Sequence, residues 1–142
     1  MTSPLSAGLR REVAGRARFR CSYCQSQEEV VGASFTVDHI IPQVLGGSDE
    51  PDNLCLACWD CNRLKRTHVA GVDPDTGQRA PLFDPNHQRW ADHFAWSEDG
   101  RLVLGLTPIG RATVERLRLN RAVLVRAREH WIRAGWHPPD AL

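Results

Sequence analysis

Two Cys-x-x-Cys pairs, Cys21/Cys24 and Cys58/Cys61, constrain this chain more than anything else in it. Thiolates three positions apart reach one ion only from a tight turn, and two such pairs supply the four sulfurs of a closed tetrahedral site. Four protein ligands leave no coordination position for a substrate, so the expected ion is structural Zn²⁺. Its binding would add folding free energy to a chain of 142 residues with a modest core. Five cysteines is an odd number, which argues against a closed disulfide framework. The fifth, Cys55, also stands three residues from Cys58. It reads as a buried thiol, with replacement of one ligand as the alternative.

Charge is segregated although the net value is only +1. Residues 1–24 carry five Arg and one Glu, and residues 110–135 carry seven Arg and two Glu. The segment between them carries six basic and thirteen acidic residues. Basic ends suit an anionic polymer, and two solvated helix faces are the plainer alternative. No apolar run approaches the roughly 20 residues of a membrane span. The Arg-rich start could be read as a transit peptide, but it runs straight into Cys21, so a cytoplasmic protein is expected.

Along the chain, Leu5, Leu9, Val13 and Ala17 fall on one side of a short basic helix over residues 5–18. The knuckle at Cys21–Cys24 follows, then a linking segment of open form. Ser34 to Ile40 is rich in β-branched and aromatic residues and predicts a strand that Pro42 stops. Gly46-Gly47-Ser48 predicts a turn, and Asp49 to Asn53 a polar, solvated loop. A helix is expected from Trp59 to about Thr67, with Cys58 and Cys61 at its positive end. Val69 to Pro85, with Gly71, Pro74, Gly77 and Pro81, reads as a loop. Phe94 to Leu104 predicts a hairpin turning at Asp99-Gly100. Thr107 and Pro108 are the cap and first residue of a helix to about Leu119. Asn120 is the expected cap of a last helix, Arg121 to Ala134, ended by Gly135, with Val123, Leu124, Ala127 and Trp131 on its apolar face. Trp90, Trp96, Trp131 and Trp136 read as packing aromatics.

Between the cysteine pairs lies a second constellation: Asp38-His39-Ile40-Ile41-Pro42, Gly46-Gly47, Asn53-Leu54, and Asn62 directly after Cys61. Phosphodiester hydrolysis needs an activated water and positive charge near the leaving oxygen. His39 is the natural base, since imidazole titrates near neutrality, and a loop group such as Asn53 could orient it. Asp38 and Asn62 offer hard oxygen donors suited to Mg²⁺ or Mn²⁺. Neighbours in a regular strand face opposite sides, so Asp38 and His39 share one site only if the strand kinks or ends there. Arg63, Lys65 and Arg66 either grip phosphate or favour the helix.

This order of elements closely resembles the zinc-binding HNH endonucleases over about residues 19–68. The third signature residue is Asn62 rather than His, as in HNN variants such as phage junction-resolving endonucleases. The resemblance implies a ββα-metal finger within a treble-clef zinc module. It implies that His39 is the general base, that Asn53 orients it, that Asp38 and Asn62 bind the catalytic divalent ion, and that Cys21, Cys24, Cys58 and Cys61 bind structural zinc. The amide of Asn62 leaves the metal preference open.

The expected protein is therefore α+β. A basic N-terminal helix (1–18) precedes an HNH module with its zinc site (19–68), followed by an extension of loop, hairpin and two helices (69–142) packed on it as one domain. It would hydrolyse DNA phosphodiester bonds with inversion at phosphorus, holding nucleic acid through phosphates, with no membrane partner. One site per chain makes a double-strand cut depend on a homodimer or on two successive nicks. The alternative is a non-catalytic zinc-stapled nucleic-acid-binding module, which has no need of Asp38, His39, Asn53 and Asn62 together. A protein whose zinc only staples the fold is a third reading and would show no salt-dependent affinity for DNA.

Overall fold

The computed structural model describes residues 5–140. Helix α1 spans Ala7–Arg16 and starts where the Ser6 hydroxyl accepts the Leu9 amide at 3.1 Å. Its apolar stripe packs as the spacing requires: Leu5, Leu9, Val13, Ala14 and Ala17 meet Leu54 and Leu56, with Phe35 and Val37 beside them. Arg16 ties the helix down by donating to the Pro51 and Leu54 carbonyls at 3.0 and 2.6 Å.

The knuckle follows, then a four-residue helix, α2 (Glu28–Val31), in the segment whose form was open. Strand β1 (Thr36–His39) pairs antiparallel with β2 (Leu54–Ala57), Thr36 opposite Ala57 and His39 opposite Leu54. Helix α3 (Trp59–Lys65) leaves β2 immediately, and the Cys58 sulfur caps it by accepting the Cys61 amide at 3.4 Å. Two strands and a helix thus lie beside one sulfur cluster.

The extension departs from expectation in several places. Residues 69–85 are not a plain loop: β3 (Ala70–Val72) pairs with β4 (Arg79–Pro81). The expected turn at Asp73–Gly77 joins these strands. Asp73 accepts from the Asp75 amide and the Thr76 hydroxyl, and takes two further bonds, each 2.9 Å, from Arg111. The strands are three residues long and hold Gly71 and Pro81, so local propensity argues against them; packing on the later helix decides. A short helix, α4 (Trp90–His93), precedes the expected hairpin of β5 (Phe94–Trp96) and β6 (Val103–Gly105).

Helix α5 (Pro108–Arg116) has the expected Thr107 cap, its hydroxyl accepting the Gly110 amide at 3.0 Å, but ends short of Leu119. Helix α6 (Ala122–Ala134) ends at Gly135 in the left-handed conformation, φ 80°. Asn120 does not cap it. Its amide clamps β6 instead, accepting from the Val103 N–H at 2.8 Å and donating to the Val103 carbonyl at 2.9 Å. Val123 is 58 % exposed, so it leaves the buried face, which runs through Leu124 and the fully buried Arg128 beside Trp131. Arg128 donates to the Arg101 and Leu119 carbonyls and lies over the Trp96 ring at 5.3 Å. Trp90, Trp96 and Trp131 pack on the core as expected, whereas Trp136 is exposed. The main core joins Cys21, Cys24 and Cys61 to Phe83, Phe94, Leu117, Leu119 and Leu124, so the extension packs directly on the sulfur cluster.

Two glycines predict opposite signs. A Cβ on Gly110 would sit 2.0 Å from the His93 carbonyl oxygen, where α5 crosses the hairpin, and neither backbone can yield cheaply. Gly15, inside α1, has nothing within 4 Å. Gly110→Ala should lower stability by at least about 1–3 kcal/mol. Gly15→Ala should raise it by about 0.5–1 kcal/mol. Urea unfolding of the metal-loaded protein measures both.

Candidate functional site

The four sulfurs of Cys21, Cys24, Cys58 and Cys61 lie within 4.8 Å of one another, with Cys24 and Cys58 3.8 Å apart. A tetrahedral ion with bonds of about 2.3 Å sets its sulfurs about 3.8 Å apart, so the cluster has the size of a zinc site. Backbone N–H groups support the sulfurs on both arms: Cys24 N–H on Cys21 at 3.5 Å, Cys61 N–H on Cys58 at 3.4 Å. The first turn closes on Gln25 at φ 64°, and Trp90 pins it from outside by donating to the Tyr23 carbonyl at 2.9 Å. Without a cation the thiols divide. Burial pushes Cys21 well up, while hydrogen bonds from Cys21, Cys58 and Cys61 hold Cys24 well down. A divalent ion lets all four ionise together.

Cys55 stands apart from this cluster. It is buried against the Tyr23 hydroxyl and Asp38, and burial, aided by the Asp38 charge, pushes its thiol up to about 12. It stays a protonated thiol in the core.

Strand alternation separates Asp38 from His39. Asp38 turns inward and is 4 % exposed; its carboxylate accepts from the Tyr23 hydroxyl at 2.8 Å and from Lys65 Nζ at 3.1 Å. Lys65 is 1 % exposed and also donates to the His39 and Ile40 carbonyls, both at 3.1 Å. Lys65 therefore cannot grip phosphate: it is the buried counter-charge of Asp38 and a brace on the backbone of His39. Arg63 and Arg66 are exposed, and Arg63 makes one long contact, 3.4 Å, with Asp60.

His39 turns outward at the end of β1. Its Nε2 lies 2.7 Å from Asp49 Oδ1, which also accepts from Gln43 Nε2 at 2.9 Å. These two bonds hold the Asp49 carboxyl below its usual range. Asp49, expected to be only a solvated loop residue, is thus the polar partner of the candidate base. It stands ten residues away in sequence, and no local pattern links the two.

Asn53 makes no hydrogen bond to the imidazole among the described residues. Its amide oxygen accepts from Ile41 N–H at 2.9 Å, and its nitrogen donates to the Ile41 and Ser48 carbonyls at 3.0 and 2.8 Å. It braces the loop between the strands, the loop that leads into Asp49. Gly47 completes the brace, because a Cβ there would fall 1.7 Å from the Ile41 carbonyl oxygen. Asn62 lies half-buried on α3, its side-chain amide free of hydrogen bonds among the described residues. Nothing in this arrangement joins it to Asp38. A hard divalent cation requires carboxylate oxygen open to water, and Asp38 is turned away and neutralised. The Asp38–Asn62 pair does not fit such an ion as it stands.

Slight desolvation, then the charges of Arg116, Arg66 and Arg79, lowers the pKa of the exposed His68. The extension thereby adds basic surface to that of α3.

Cys58→Ser should lose zinc and with it much of the folded population, whereas Cys55→Ser should retain one zinc per chain. Metal analysis after gel filtration, with circular dichroism on the same samples, separates the two.

No curated protein and no solved structure matches this chain. A protein-family comparison matches residues 21–68, and the matching family is described as HNH endonuclease. The matched span begins at the first metal-site cysteine and contains both sulfur pairs, β1, β2 and α3. Residues 21–68 thus match the HNH endonuclease family, in a small α+β protein whose four-cysteine cluster is consistent with a zinc-stapled module.

Proposed function

We propose that the protein is a nuclease that hydrolyses DNA phosphodiester bonds with His39 as general base. The observation that carries this reading is the His39–Asp49 contact of 2.7 Å, on a loop braced by Asn53 and Gly47, within a segment of the HNH endonuclease family. A histidine packed merely for stability has no need of a carboxylate partner held at the surface.

With Asp49 accepting the proton on Nε2, Nδ1 is left as the basic nitrogen. Nδ1 takes a proton from water as the water oxygen bonds to phosphorus and the bond to the leaving oxygen breaks, that oxygen taking a proton from solvent, and the phosphorus is inverted. Asp49 stabilises the imidazolium that forms. Lys65 and Asn53 act as positioning residues, one on the backbone of His39 and the other on the loop. Phosphate contacts fall to the exposed Arg63 and Arg66 of the matched segment and to the exposed Arg79 and half-buried Arg116 of the extension, which grip without reading bases. No step is assigned to a divalent ion on Asp38 and Asn62, and the assay is run with Mg²⁺, with Mn²⁺ and with chelator to decide that requirement.

Nicking of supercoiled plasmid is the decisive assay, with zinc content matched between samples. His39→Ala should lower the rate by about 10²–10⁴-fold, the ordinary worth of a general base. Asp49→Asn should lower it by about 10-fold, in line with loss of an orienting partner. Wild-type protein that binds DNA yet cuts neither duplex nor branched substrates under any divalent ion would leave the non-catalytic binding module as the function.

A further inference from the structure

Arg121 is out of place as an ordinary surface arginine. It precedes α6 at the helix's positive end, where a cation is disfavoured. It pairs with no carboxylate among the described residues, and its Nε is buried without a partner. Its guanidinium instead meets sulfur: one terminal nitrogen lies 3.8 Å from Cys61 Sγ, the other 3.7 Å from Cys58 Sγ and 3.9 Å from Cys61 Sγ. Bonds of 3.3 Å to the Leu117 and Arg118 carbonyls hold it there.

Four thiolates around Zn²⁺ carry a net charge of −2, and leaving that charge half-buried is costly. A guanidinium within 4 Å offsets it and donates N–H groups to the sulfurs, the usual work of groups just outside a metal's ligands. Resting on the four-cysteine zinc reading, we propose that Arg121 is an outer-sphere partner of the metal site. The site is thereby completed by the C-terminal extension, outside residues 21–68. Metal binding and docking of α6 are then linked, each strengthening the other. Arg121 anchors the amino end of α6, and the buried Arg128, two turns on, lies on the same side of the helix.

The test uses full-length protein, with zinc stoichiometry of the wild type measured first; a chain that holds no zinc overturns the metal reading and this proposal together. Arg121→Gln should release zinc to excess chelator about 10–100-fold faster than wild type, the scale of outer-sphere losses at metal sites. The exposed Arg126→Gln on the same helix should release it at the wild-type rate. Hydrogen exchange of the α6 amides should rise in Arg121→Gln while zinc remains bound. In Co²⁺-loaded protein the sulfur-to-metal charge-transfer band should move to lower energy, since sulfurs relieved of N–H donors give up electrons more readily. Zinc release and band position unchanged in a folded Arg121→Gln would overturn the proposal and leave the zinc reading intact. Should that variant not fold, Arg121→Lys decides: the point charge keeps zinc release within a few-fold of wild type but moves the cobalt band, and an unmoved band overturns the contact.

Discussion

Four sulfurs brought within 4.8 Å of one another cannot all carry charge unless a cation lies between them. The rest of the structure depends on that constraint. Cys21 and Cys24 come from a turn, Cys58 and Cys61 from the start of α3, and the ββ hairpin lies in between. Closing the cluster fixes where α3 leaves β2 and thereby where Lys65 reaches β1. Phe83, Phe94, Leu117 and Leu119 then complete the same core from the extension. A chain of 142 residues has a modest core, and the binding energy of a metal in this cluster would add to what apolar burial supplies.

The second determining feature is an inside–outside division at the end of β1. Adjacent strand residues face opposite ways, and the chain uses both directions. Asp38 goes in, to a network with Tyr23, Cys55 and Lys65. His39 goes out, to Asp49. Lys65 links the two, because it neutralises Asp38 and also holds the His39 and Ile40 carbonyls. Breaking one partner of such a buried pair leaves the other charge stranded, typically at a cost of about 3–5 kcal/mol. The inward side therefore stiffens the strand that presents the outward one. The loop from Ile41 to Ser48 is stiffened separately, through Asn53 and the cradle at Gly47. Under the proposed function, a base positioned by two independent braces would lose little orientation when substrate binds.

Much was legible in the sequence because it is local. The spacing of Leu5, Leu9, Val13 and Ala17 is a helix period, and Thr107-Pro108 and Gly135 are helix signals whose chemistry acts within one turn. The paired cysteines announce themselves by spacing, as does the turn at Asp99-Gly100. The misread segments share a different cause. β3 and β4 have weak propensity and form where α5 offers a surface. Asn120 has the chemistry of a cap but finds two bonds on β6, and Arg128 takes a core position because carbonyls and the Trp96 ring surround it.

The sequence by itself determined the candidate metal-site cysteines, the order of the ββα elements and the choice of His39 as candidate base, because each rests on spacing or on side-chain chemistry. Only the tertiary structure decided the partners. Lys65 became a buried brace rather than a phosphate contact, Asn53 a loop clamp rather than a bond to the ring, Asp49 the partner of His39, and Arg121 a neighbour of the sulfurs. A side chain's type says what it can bind. Which group it meets depends on residues 5 to 63 positions away, and that separation is closed only by folding.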